Sequence, residues 1–162
     1  MGNSSGSSSG SNGGWKSYVR YRTSNDERNV NNHEFSSITD DSDDTILEMW
    51  IHKTNLFHIQ LTSLILHHAF IVMRGRRWWW SIEKHSDGIT LQRHSCEREV
   101  KEYFRGDRRS IIDWVTCLSK KSTEFRISSL MTRLSNEQEV YKGYDTVNSN
   151  CQHFAYRVFN WY

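Results

Sequence analysis

Cysteine is scarce in this chain. Cys96, Cys117 and Cys151 are the only three, an odd count with no Cys-x-x-Cys spacing. That argues against a disulfide framework and against a zinc site, and it fits a reducing compartment. Long apolar runs are also missing. No stretch of about 18 apolar residues occurs, so no membrane-spanning helix is expected. No basic-then-apolar leader opens the chain, so no secretory signal is expected. Charge of one sign is not in excess: the net +2 is too small to imply nucleic acid by itself. Proline is absent altogether, against a usual share near 5%, and no physical account of that absence follows from the sequence. Glycine is unevenly spread, with five of the nine in the first fourteen residues.

Those fourteen residues, MGNSSGSSSGSNGG, hold eleven Gly or Ser. So polar a segment cannot bury enough apolar surface to offset the entropy of ordering. Asn-rich and acidic sequence continues to Asp44. Residues 1–44 therefore read as a disordered tail and linker, with room for one strand at 17–22. Residues 45–162 read as a single domain, long enough for one modest core. Met1-Gly2-Asn3-Ser4-Ser5 opens like a myristoylation signal, but Gly6 stands where Ser or Thr is wanted. One acyl chain on Gly2 would in any case anchor only marginally. The expected location is the cytoplasm, at most peripheral to a membrane.

Along the domain, Asp43-Asp44-Thr45 offers caps for a short helix over ILEMWIHK. Leu64 to Met73 is rich in β-branched and apolar residues without a breaker, and reads as a buried strand. RGRR (74–77) is a turn, WWWSIEK (78–84) a second strand, and Asp87-Gly88 a turn into a third strand at Ile89–Arg93. These three make an antiparallel meander. Residues 96–104 and 110–118 have helical spacing, and Phe125–Ile127 allows a short strand. Leu130–Leu134 and Glu137–Tyr141 read as helical or irregular. Gly143–Ser149 is a loop before a last helix at 152–161, whose Phe154, Ala155, Val158, Phe159 and Trp161 share one face. The fold class is α+β, an antiparallel sheet packed against this helix.

Cys151 is the sharpest chemical candidate. It follows Asn150, a good N-cap residue, so it sits where free backbone N–H groups and positive potential lower a thiol pKa. The same N–H groups can hold an oxyanion in acyl transfer. A thiolate nucleophile needs a base. His67 and His68 interrupt the apolar strand and face opposite sides of it. An imidazole there costs desolvation unless it finds a partner. Glu83, on the face of Trp79 and Ser81, can orient an imidazole and stabilise its cation. A hairpin loop of even length, pairing positions that sum to 151, sets Glu83 opposite His68. An odd loop or a bulge brings it to the face of His67. The run Trp78-Trp79-Trp80 serves either core packing or a flat wall for a substrate. Arg74, Arg76 and Arg77 read as a solvated turn, and three charges are weak grounds for nucleic-acid binding.

The order of these residues is informative. HHAFIV, a turn, an aromatic strand with an acid, and finally YDTVNSNCQHFA resemble the permuted papain-like cysteine enzymes. These are the lecithin retinol acyltransferase family and the PPPDE peptidases, relatives of the NlpC-type peptidases. The resemblance spans about residues 64–93 and 141–160. It implies a permuted papain-like fold, a His-x-Ala strand whose His is the base, and an Asn-Cys-x-x-Phe helix carrying the nucleophile. Aligned on His-x-Ala, the base falls on His67 with His68 as the alternative, the third residue on Glu83 and the nucleophile on Cys151. His153 matches a helix residue that packs. The implied activity is thiol-dependent hydrolysis or acyl transfer on a peptide, protein-conjugate or lipid-acyl substrate, needing no metal or cofactor. The alternative is a catalytically inactive module of the same fold that uses its Trp-rich strand for contact.

Overall fold

A computed structural model describes residues 18–30, 34, 43–55, 67–104, 107–108, 115–145 and 148–162. The chain forms an α+β fold around a seven-stranded mixed sheet. Its strands are β1 (Val19–Arg22), β2 (Glu27–Val30), β3 (Thr45–Asn55), β4 (His67–Gly75), β5 (Trp79–His85), β6 (Gly88–His94) and β9 (Thr116–Arg126). The order across the sheet is β2-β1-β6-β5-β4-β3-β9. A separate two-residue ladder joins β7 (Tyr103–Phe104) to β8 (Asp107–Arg108). The helices are α1 (Glu97–Glu102), α2 (Ile127–Asn136) and α3 (Cys151–Asn160).

The meander β4-β5-β6 forms as expected and occupies the middle of the sheet. Its strands are buried nearly end to end, which is why they read as continuous apolar runs rather than alternations. On one face Ala69, Ile71, Met73, Trp80 and Ile82 join Met49 and Ile51 of β3 and meet Leu130, Leu134, Phe154 and Val158 from α2 and α3. On the other face Phe70 and Val72 pack with Val100 of α1, flanked by Trp50, Trp79 and Val115. The last helix and its Asn150 cap are as expected.

Four expectations need correcting. The sheet is mixed rather than antiparallel, because β1 runs parallel to β6. The segment read as linker carries β1 inside the strand allowed at 17–22 but also an unexpected β2, and Val19, Tyr21 and Val30 are buried in the main core. Thr45-Ile46-Leu47-Glu48-Met49-Trp50 is strand, not helix. Met49 and Ile51 point into the core while Trp50 and His52 point away, a period of two that β4 and β9 satisfy on either side. Thr116–Leu118 begins edge strand β9 instead of ending a helix; residues 110–114 of that expected helix lie outside the described residues, as do 64–66 of the expected strand.

The acids read as caps for residues 45–52 act elsewhere. Asp43 accepts from the Ser128 backbone N–H at 3.1 Å and so caps α2. Asp44, buried, accepts from the backbone N–H groups of Arg77 and Trp78 at 3.2 and 3.0 Å, and from the Trp80 indole at 3.3 Å. It thereby clamps the two-residue turn between Gly75 and Trp78, which also closes through the Gly75 N–H to Trp78 carbonyl bond of 2.8 Å. A Cβ on Gly75 would lie 2.0 Å from Asp44 Oδ2. Gly75→Ala is therefore expected to push the carboxylate off its donors and destabilise the fold by about 1–3 kcal/mol. Urea unfolding measures this; an unchanged midpoint for both Gly75→Ala and Asp44→Ala would contradict the clamp.

Candidate active site

Cys151 owes its position to polar anchors on both sides. Asn150 Oδ1 accepts from the Gln152 and His153 N–H groups at 3.0 Å each, capping α3. Before it, Asp145 and Ser149 exchange backbone hydrogen bonds at 3.1 and 3.0 Å. Lys84 of β5, fully buried, reaches across with Nζ to the Lys142 carbonyl and Ser149 Oγ, both at 2.7 Å. Burial pulls the Lys84 ammonium down to about 8. Arg157 of α3 grips buried Glu139 through two bonds of 2.9 and 3.0 Å, and Lys142 Nζ adds a third at 2.8 Å. Burial opposes the Glu139 charge, yet these two cations hold the carboxyl below its usual range. The loop before the cysteine and the helix after it are thus both fixed to charged groups that water does not reach.

The sheet opens where the helix arrives. The β4–β5 ladder ends at Ile71 opposite Ile82, while β4 continues to His67 paired with β3 alone. The start of α3 meets β4 at this unpaired end. Gln152 Nε2 donates to the His67 carbonyl at 3.1 Å, and the Ala69 N–H donates to the Cys151 sulfur. The sulfur therefore lies beside the strand backbone and in hydrogen-bonding contact with the His68 ring.

Glu83 arrives from β5. The hairpin pairs positions that sum to 153, not 151, because Gly75 and Trp78 flank a two-residue turn. The shift of two keeps Glu83 on the face of His68 but places it diagonally. His68 Nε2 and Glu83 Oε2 are 2.8 Å apart, the imidazole 13% and the carboxylate 3% exposed. Burial alone would lower the His68 pKa, but the contacts with Cys151 and Glu83 outweigh it and raise it to about 9. Burial pushes the Cys151 thiol up; the His68 hydrogen bond and charge, the Ala69 N–H and the Tyr144 hydroxyl together bring it below its ordinary value. The arrangement favours a thiolate beside an imidazolium. Cys151 is 1% exposed, and the groups identified against its sulfur are polar.

His67, the expected base, is placed differently. Successive strand residues face opposite sides, and the face carrying Glu83 belongs to His68. Burial and the positive charges of Lys53 and His68 lower the His67 pKa. The structure thus brings together Cys151, His68 and Glu83, and leaves His67 contributing its backbone carbonyl. Three further residues were not foreseen. Tyr144 holds its hydroxyl 3.8 Å from Cys151 Sγ; burial and the Cys151 charge push its pKa upward, so it stays a donor. His85 stacks on His68 with ring centroids 5.2 Å apart. Lys84 carries the one visible signal, a lysine inside a strand that is buried nearly end to end. The Trp run packs: Trp80 is buried, Trp79 lies against Trp50 and Trp78 under Arg93.

No family model, curated protein or solved structure matches this chain. No helix among the described residues is long and apolar enough to cross a membrane.

The depressed thiol is measurable. Iodoacetamide alkylation of Cys151, followed by peptide mass mapping, is expected to rise with pH around a midpoint below the ordinary thiol value. His68→Gln should move that midpoint upward by about one unit or more, roughly 1.4 kcal/mol per unit. His67→Gln should leave it in place. An equal shift in both variants, or in neither, would contradict the assignment of His68.

Proposed function

We propose that the chain is a thiol-dependent hydrolase or acyltransferase of the permuted papain-like kind, with Cys151 as nucleophile, His68 as base and Glu83 as the group that orients it. The observation that carries this is one imidazole held between a buried carboxylate at 2.8 Å and the thiol of the first residue of α3. The chain order supports it too: base strand, acid strand, then cysteine helix, the order of the permuted enzymes that the NCQHFA segment resembles. Cytoplasmic placement belongs to the same reading, as does a peptide, protein-conjugate or lipid-acyl substrate.

The chemistry follows from the charges. The Cys151 thiolate adds to the carbonyl carbon of an amide, ester or thioester, and the carbonyl π electrons move to oxygen. The Gln152 and His153 N–H groups are committed to Asn150, so the oxyanion falls to the Cys151 N–H and the Tyr144 hydroxyl. The intermediate collapses, the bond to the leaving group breaks, and the His68 imidazolium protonates that group. Neutral His68 then takes a proton from water or from an acceptor nucleophile, which attacks the acyl-cysteine and releases the thiolate. Glu83 stabilises the imidazolium throughout. The rival interaction module gains little from the Trp-rich strand, where Trp80 is buried and Trp78 and Trp79 are half-buried against the two cores.

Acyl-enzyme formation tests the proposal. Incubation with p-nitrophenyl acetate or a short-chain acyl thioester, with intact-mass and peptide analysis, is expected to place one acyl group on Cys151. His68→Gln should slow this by about 10²–10⁴-fold, and Cys151→Ser should abolish it. Acylation spread evenly over Cys96, Cys117 and Cys151, or untouched by His68→Gln, would defeat the enzymatic reading.

A further inference from the structure

His85 is not used by the chemistry above, yet it completes a cluster with two residues that are. Glu83 and His85 lie two residues apart on β5 and so share a face, and His68 meets them from β4. Glu83 Oε2 is 2.8 Å from His68 Nε2 and 3.8 Å from His85 Nε2. The donor atoms of all three residues lie within 4.8 Å of one another. The carboxylate is 3% exposed and the two imidazoles 13% and 12%. Two imidazoles and one carboxylate are the donor set that zinc takes in open three-ligand centres, with bonds of about 2.0–2.2 Å. Donors on such a tetrahedron are about 3.3 Å apart, and the separations of 2.8 and 3.8 Å straddle that length. Small rotations of the side chains bring the three donors onto one ion. Hard cations such as Mg²⁺ and Ca²⁺ prefer oxygen and would be poorly served by two nitrogens.

We propose that His68, Glu83 and His85 form a zinc site whose occupancy switches off turnover at Cys151 by taking His68 out of acid–base chemistry. Zinc on Nε2 of His68 replaces the proton shared with Glu83. The one proton left on the ring, on the nitrogen away from the metal, could leave only by making a metal-bound imidazolate, so the ring is no longer a useful acid. It has no free nitrogen to act as a base, and its carboxylate partner is bound to the metal. The inhibitory effect rests on the proposed function; the binding site itself does not. His85 is thereby given a role that the thiol chemistry does not require.

The test uses the full chain carrying Cys96→Ser and Cys117→Ser, which removes the two exposed thiols. Zn²⁺ is titrated against a chromophoric chelator, and deacylation of Cys151 after reaction with p-nitrophenyl acetate is compared with and without one equivalent of Zn²⁺. One site is expected, weakened at least tenfold by His85→Gln and by Glu83→Gln. Zinc should slow deacylation at least tenfold, because the ring has no free nitrogen to take the proton of water, and that ratio should approach one in His85→Gln. Co²⁺ provides a readout in the chain with all three ligands intact: visible d–d bands without a sulfur-to-cobalt charge-transfer band. Equal zinc affinity with and without His85, no binding at stoichiometric zinc, or a thiolate–cobalt band would each overturn the proposal. If zinc binds as stated while no acyl-enzyme ever forms, the enzymatic reading fails and the metal site stands. If the acyl-enzyme forms and zinc does not bind, the metal site alone fails.

Discussion

A carboxylate taken out of water must find a cation or donors, and Glu83 finds His68. That single contact sets what the neighbouring elements must do. It requires β4 and β5 to adopt a register that puts both side chains on the same sheet face, because a slip of one residue would send them apart. It also holds the imidazole in its charged form where the helix start delivers a thiol. A protonated imidazole beside a thiol is what keeps the sulfur below its ordinary pKa despite burial. The pair and the carboxylate are mutually dependent, so they act as one unit rather than three residues.

Other buried polar groups hold the frame for that unit. Asp44 closes the β4–β5 turn from one end, and Lys84 ties the loop before Cys151 to β5 at the other. Glu139 with Arg157 sets α3 against the same loop. Each is satisfied by specific donors or acceptors, which makes burial tolerable. Their common effect is to place the sulfur relative to β4 and β5 by bonds that tolerate little displacement. Apolar packing on the two sheet faces supplies the bulk of the stability, and these contacts select the geometry.

Much of this was legible in the sequence. The meander showed through its apolar runs and the Asp87-Gly88 turn, and α3 through Asn150 and the spacing of Phe154, Ala155 and Val158. Cys151, Glu83 and the pair His67-His68 stood out as polar residues in places that ask for a reason. What failed did so for long-range reasons. ILEMWIHK fits either period, and only the neighbouring strands β4 and β9 decide for strand. Val19, Tyr21 and Val30 sit in polar sequence, so their burial depends on β6 offering an edge. The choice of His68 over His67 turned on which side of β4 carried Glu83, and that followed from a two-residue turn within RGRR. Tyr144 and His85 had no local signal, since their importance comes from what they meet across the fold. The permuted papain-like likeness singled out segments that the fold brings together, and its His-x-Ala alignment selected His67 where Glu83 meets His68.

The central claim is that His68, flanked by Glu83 and Cys151, keeps its proton through neutral pH. Proton–nitrogen correlation spectra of the histidine rings, followed across a pH series, measure this directly. The account predicts one ring, absent from His68→Gln, with a midpoint of about 9, while the ring lost in His67→Gln titrates below 6.5. A His68 midpoint at or under 6.5 would show that neither the carboxylate nor the thiol engages it.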